Sequence, residues 1–151
     1  MDGKRRLILK GILMSLGAAL LAPLRAFAAW PATAFEAKKV PEALNLLFGH
    51  SKLTTRDADI TLTAPELAEN GAVVPVTVSS TLDNVESITL LVDKNPNALI
   101  ARFNLAPNTL PYIKTNIKMA EPSNIIAVLK VGDNLYSTSR RVKVSISGCG
   151  N

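Results

Sequence analysis

The sequence predicts an all-β fold: an immunoglobulin-like antiparallel β-sandwich with a short N-terminal helix and a flexible C-terminal arm. Three observations predict it. Beyond residue 59 apolar residues recur at a spacing of two, with Thr, Val and Ile enriched. Turn signals punctuate that pattern often enough to give about seven short strands. The stretch with helical periodicity lies ahead of all of them.

Residues 1–28 fall outside the folded body. Lys4-Arg5-Arg6-Leu7-Ile8-Leu9-Lys10 is basic, Gly11 to Leu21 is apolar, and Ala26-Phe27-Ala28 is a small-x-small triplet. These are the parts of a secretory signal peptide. The apolar run falls short of the roughly 20 residues that a bilayer span needs, so no stable membrane anchor is expected after cleavage. Arg5 and Arg6 ahead of Leu7 give the signal a twin-arginine character, a route for folded cargo to the periplasm.

Charge is concentrated in that address label. The chain has 17 Lys+Arg and 12 Asp+Glu, net +5. Residues 1–28 contain five basic residues and one acidic, which leaves 12 against 11, or +1, for the remainder. Nucleic-acid binding needs a basic patch that neutralises phosphates. Arg140-Arg141-Val142-Lys143 is the nearest candidate, and on an alternating strand it reads as a solvated face. No nucleic acid is expected as a partner.

Residues 29–58 read as a linker and a helix, with Ala29 to Ala34 a loose lead-in that carries Trp30. Pro41 to Phe48 is helical: Pro41 suits a first turn, Leu44, Leu47 and Phe48 share one face, and Gly49 stops it as a C-cap. Residues 59–146 read as the sandwich. Ile60, Leu62 and Ala64 alternate with threonines, and Asn70-Gly71 is a turn. Val74, Val76 and Val78 form a second strand, where Pro75 argues for an edge or a bulge. Ile88 to Val92 follows, closed by Lys94-Asn95-Pro96-Asn97, then the alternating Ile100 to Leu105 and a turn at Pro107-Asn108. Tyr112 to Met119 is a strand and Glu121-Pro122-Ser123-Asn124 a turn. Ile125 to Val131, largely apolar, is expected at the centre of a sheet. Gly132-Asp133-Asn134 turns into a last strand from Leu135 to Ile146.

Residues 147–151 read as the arm, with Cys149, the single cysteine, between Gly148 and Gly150. A cysteine kept for packing sits among apolar neighbours, and this one has none in sequence. Glycine on both sides frees the backbone, and an exposed thiol is available as a nucleophilic thiolate. Chance, an intermolecular disulfide and a functional thiol are the open readings of such a cysteine. Catalysis by the chain itself is not expected. One histidine, His50, and one cysteine cannot build a four-ligand zinc site. A Cys–His pair would need His50 to meet a thiol that has no fixed position, so His50 reads as a polar loop residue. Asp57 and Asp59 read as surface, and phosphate-loop, haem-attachment and dinucleotide motifs are missing. No cofactor or metal is expected. A reactive group on a thin tether suits a carrier whose cargo other enzymes process.

Glu69-Asn70-Gly71-Ala72-Val73-Val74-Pro75-Val76, Lys94-Asn95-Pro96, Ala101-Arg102-Phe103 and Val142-Lys143-Val144 leading into Gly148-Cys149-Gly150 resemble, in that order, the SoxY family. These are the sulfur-carrying subunits of the SoxYZ complex. The resemblance implies an immunoglobulin-like subunit that pairs with SoxZ in the periplasm and serves the oxidation of thiosulfate. It implies sulfur attachment at Cys149, joined there by the c-type cytochrome SoxAX. The hydrolase SoxB would then release sulfate and the sulfane dehydrogenase SoxCD would oxidise what remains. The family commonly ends Gly-Gly-Cys-Gly-Gly; here Ser147 and Asn151 occupy the outer places, which makes the arm bulkier. A carrier for another periplasmic oxidation, or a binding module whose cysteine only cross-links subunits, are the competing readings.

Overall fold

The computed structural model describes residues 31–145. The expected signal at 1–28, with Arg5 and Arg6, and the expected arm, with Gly148, Cys149 and Gly150, lie outside the described residues. Two helices come first, α1 (Ala32–Glu36) and α2 (Val40–Phe48). Nine strands follow among the described residues. They are β1 (Thr54–Thr55), β2 (Ile60–Thr63), β3 (Leu67–Ala68), β4 (Val74–Ser80), β5 (Ser87–Val92), β6 (Leu99–Asn104), β7 (Tyr112–Ile117), β8 (Ser123–Val131) and β9 (Asn134–Val144).

The strands form a sandwich. The larger sheet has the order β1-β9-β8-β5-β6, with β3 also paired to β9; the smaller has the order β2-β4-β7. The apolar β8 does lie mid-sheet, between β9 and β5. Between the sheets, Ile60, Val74, Val76 and Val78 meet Ile88, Leu90, Val92, Ile125, Ala127 and Leu129, all buried. Full burial of one such side chain is worth about 1.5–3 kcal/mol, so this layer dominates the stability of the body.

A second apolar layer covers the other face of the larger sheet. Ala34, Ala37, Ala43 and Leu44 from the helical segment pack on Leu91, Leu99, Val128 and Leu135. This explains why β5 is buried at every position: it has a sheet on one face and helices on the other. Leu47 and Phe48 flank Leu44 in the same layer, as their shared helical face requires. Gly49 closes α2 with φ 78°, a left-handed C-cap whose N–H donates to the Asn45 carbonyl.

Several expectations need correction. The stretch read as a loose linker to Ala34 contains α1; five residues are too few to show periodicity, and burial of Ala34 against α2 and the sheet supplies what local propensity lacks. The sandwich has nine strands rather than about seven, because β1 and β3 are two residues each. Both pair with β9 in parallel, so the fold is antiparallel except at these two places. Pro75 does not mark an edge strand, since β4 is the middle strand of its sheet. It is tolerated because β2 pairs only with Thr77 to Ser80, leaving Pro75 a neighbour on one side, Asn116. The turn after Met119 is shorter than expected, with Ser123 and Asn124 already in β8.

The surface assignments also shift. Arg141 and Lys143 are exposed as expected, but Arg140 is half-buried with its Nε sealed from solvent. Asp57 and Asp59 have structural work: Asp57 accepts a hydrogen bond from Thr138 Oγ1 at 2.7 Å, and Asp59 pairs with Arg56 Nε at 2.6 Å. His50 does lie in a connection, immediately after the Gly49 cap, although its Nδ1 is buried without a protein partner.

Candidate functional site

The described chain ends at Ser145, four residues before Cys149, so the candidate site is the root from which the cysteine-bearing segment leaves the body. β9 brings the chain there. Its pairing with β8 runs from Val131↔Asn134 to Ser123↔Val142 and then stops. Beyond Val142 the chain is held by β3, with Leu67 beside Lys143 and Ala68 beside Val144. The Lys143 N–H donates to the Glu66 carbonyl and the Ser145 N–H to the Ala68 carbonyl, each at 2.9 Å. Ala68 and Val144 are buried, so an apolar contact backs these two bonds.

The turn after β3 presses on the same place. Asn70 Oδ1 accepts from the Ala72 N–H at 2.8 Å, an Asx turn. The Gly71 carbonyl accepts from the Met119 N–H at 2.8 Å. A Cβ at position 71 would lie 2.5 Å from the Met119 carbonyl oxygen and 2.8 Å from Val144 Cγ1, so only glycine fits. Met119 is itself fixed from behind: the Asn95 side chain donates to the Lys118 carbonyl at 2.7 Å and accepts from the Ala120 N–H at 2.8 Å. The Asn124 side chain donates to Asp93 at 3.0 Å, and Ser123 Oγ accepts from the Lys94 N–H at 3.0 Å. Loop 93–98, turn 118–122 and turn 69–73 thus form one hydrogen-bonded collar, to which the end of β9 is tied through β3.

Three of the four segments that carried the family resemblance meet in this collar: Glu69 to Val76, Lys94-Asn95-Pro96 and Val142-Lys143-Val144. The fourth, Ala101-Arg102-Phe103, lies on β6, where Arg102 stacks on Phe48 at 5.0 Å and burial lowers its pKa. Sequence reasoning missed Ala68, Met119 and the side-chain role of Asn95. Asn95 was visible as a turn residue, but nothing local marks which carbonyl it reaches.

Cavities agree with the position of this site in part. A shallow one of about 380 Å³ at the collar is lined by Asn95, Pro96, Ile100, Asn116, Ile117 and Lys118 among others. The larger, about 800 Å³, is bounded by Leu82, Glu86, Leu105, Leu110 and Gly132 and lies at the opposite end of β9. Eleven strand residues separate the ends, roughly 36 Å at about 3.3 Å each. The four residues from Ser145 to Cys149 span at most about 13–14 Å, so the larger cavity is out of the thiol's reach. Among the described residues no three His, Cys, Asp or Glu are grouped to hold a metal, and no helix is long and apolar enough to cross a membrane.

The family model for sulfur oxidation protein SoxY matches residues 44–149, well over half of the sequence. The chain belongs to the SoxY family. The SoxY match begins within α2, at Leu44, takes in the whole sandwich and the collar, and runs as far as Cys149. A solved structure of the sulfur carrier protein SoxY from Chlorobium limicola f thiosulfatophilum is similar, with a TM-score of 0.65 and 33% identity. The match covers 72% of this chain and 97% of that one. A chain from a solved structure concerned with T cell specificity and activation by the bacterial superantigen toxic shock syndrome toxin-1 matches with a TM-score of 0.42 and 12% identity, covering 56% of this chain and 98% of that one. That likeness is too loose to bear on function. No curated protein matches this SoxY-family chain.

Proposed function

We propose that this protein is a periplasmic carrier of sulfur intermediates in thiosulfate oxidation, with the Cys149 thiol as attachment point. The observation that carries the reading is the extent of the family match. It ends on Cys149, the single cysteine of the chain, four residues beyond a tightly held root. In this reading the chemistry belongs to enzymes that receive the thiol in turn, as the family name of a sulfur oxidation carrier suggests. Gly148 and Gly150 keep the segment thin enough to enter a narrow cleft.

In the first step the Cys149 thiolate forms an S–S bond to the sulfane sulfur of thiosulfate. Two electrons leave to a c-type cytochrome, SoxAX by family analogy. Water then cleaves the terminal S–S bond at a hydrolase, SoxB, giving sulfate, two protons and a persulfide on Cys149. The sulfane dehydrogenase SoxCD then oxidises the persulfide sulfur to the sulfonate level, with water supplying the oxygen atoms and a one-electron carrier taking the electrons, and a second hydrolysis releases sulfate and returns the Cys149 thiol. SoxZ is the stable partner subunit, and export through Arg5 and Arg6 as folded cargo would allow the two to leave the cytoplasm together.

Cys149→Ser tests this reading. The variant is expected to fold and to pair with SoxZ, and to reduce thiosulfate-dependent turnover in the reconstituted system to background. Mass spectrometry of the wild-type C-terminal peptide after exposure to thiosulfate and the cytochrome should show a thiosulfate adduct on Cys149. Retained turnover in the variant sinks the carrier reading, and a disulfide-linked dimer as the sole product favours a cross-linking cysteine.

A further inference from the structure

We propose that Glu66 to Gly71 is a length-setting clip: it grips Lys143, Val144 and Ser145, fixes the pivot of the carrier segment at Ser145, and so limits how far Cys149 travels. The clip itself rests on geometry; its effect on turnover rests on the carrier reading above.

Four observations carry it. The β8 ladder ends at Val142, so β3 is the strand that holds the last residues of β9. Besides the β3–β9 ladder, the grip includes two backbone bonds, Lys143 to Glu66 and Ser145 to Ala68, the second reaching one residue past the strand. The residues that seat Val144 are small: Ala68 is 5% exposed, and a Cβ on Gly71 would overlap both Val144 Cγ1 and the Met119 carbonyl. Gly71 is outside the left-handed region, so its need for glycine comes from this close approach and not from backbone conformation.

The clip changes the radius available to the thiol. With it closed, four residues separate Ser145 from Cys149, a reach of about 13 Å at about 3.3 Å per residue. With it open, the pivot retreats to Val142 and seven residues give about 23 Å. Effective concentration at a docked active site falls roughly as the −3/2 power of tether length, so opening lowers it by about twofold. The pivot also loses its direction, because the segment then leaves from the end of β8 and not from the collar. Gly71, Ala68 and the Glu66 carbonyl are positioning groups for Cys149; none of them touches the cargo.

Two variants open the clip by different means. Ser145→Pro removes the N–H that reaches Ala68 and leaves the core alone. Gly71→Ala pushes Val144 and Met119 apart. Hydrogen exchange on the SoxYZ complex should show the Lys143 and Ser145 amides protected in wild type, and the Lys143 amide at least about tenfold faster in Ser145→Pro. In the reconstituted system at limiting enzyme, turnover in both variants should fall about twofold or more. Deleting Ile146 and Ser147 should then restore turnover in the open variants, while lowering it in wild type. A merely structural role predicts no rescue by shortening. The proposal is overturned if the wild-type Lys143 and Ser145 amides exchange like those of an unstructured peptide, or if shortening fails to rescue an open variant. Turnover retained by Cys149→Ser would defeat the carrier reading while leaving the exchange result intact, so the two failures are distinguishable.

Discussion

The two ends of β9 are held in unlike ways. From Asn134 the strand lies against β8 for nine consecutive pairs, returning through the Gly132-Asp133 hairpin, with Glu86 bracing the turn through Lys130 and the Gly132 N–H. At Val144 the same strand depends on two residues of β3 and a close-fitting glycine. The first end is built from long ladders and a core shared by both sheets, so its loss is the loss of the fold. The second rests on a shorter contact at the margin of the same core, Ala68 against Val144, so altering it is expected to cost less than altering the first.

Variants can break this contrast from either side. The largest effect is expected at the shared core. Leu129→Ala, at a fully buried position on β8, should cost about 2–5 kcal/mol in urea unfolding. An unchanged midpoint would mean that the two sheets do not share this core. Next is Gly132→Ala. Gly132 has φ 56° and open space where a Cβ would stand, so the cost is backbone strain alone, about 1–2 kcal/mol. Gly132→Asn should recover part of it, because Asn tolerates left-handed backbone. At position 71 the reverse holds, crowding without a φ requirement, and no residue larger than glycine should be tolerated without movement of Val144.

The smallest effect concerns pH. The hydrogen bond from Lys130 and the positive charge that comes with it hold the Glu86 carboxyl below its ordinary pKa of 4.5, and the Gly132 N–H adds to this. A depressed carboxylate pKa contributes stability that is present above the unfolded value and is lost as pH falls through the folded value. The acid limb of the stability profile below about pH 4.5 should therefore flatten slightly in Lys130→Met. Glu86 is exposed, and a flattening as large as the core effect would contradict the screening expected there.

Much of this was legible from sequence where the signal is local and repeated. Alternation in Ile60-Thr61-Leu62-Thr63 and Val74 to Val78 marked buried and exposed faces correctly, and Gly49 marked the end of a helix. The uniform burial of β5 was only half legible, because Ser87-Ile88-Thr89-Leu90-Leu91-Val92 does not announce that helices cover its second face. β1 and β3 were not legible at all. Thr54-Thr55 and Leu67-Ala68 carry no periodicity, and they become strands only because β9 lies beside them. The candidate site shows the same division: Cys149 stood out by its flanking residues, whereas the reason for Gly71 depends on Met119 and Val144, far away in sequence.

The β3–β9 contact has a mechanical consequence. Force applied to the chain at Ser145 would run along the axis of β9. The two parallel backbone bonds at Glu66 and Ala68 lie across that axis and would be loaded together in shear rather than opened one after the other. They stand where strain relief stands on a cable: a load from that end meets them before it meets the nine pairs behind them.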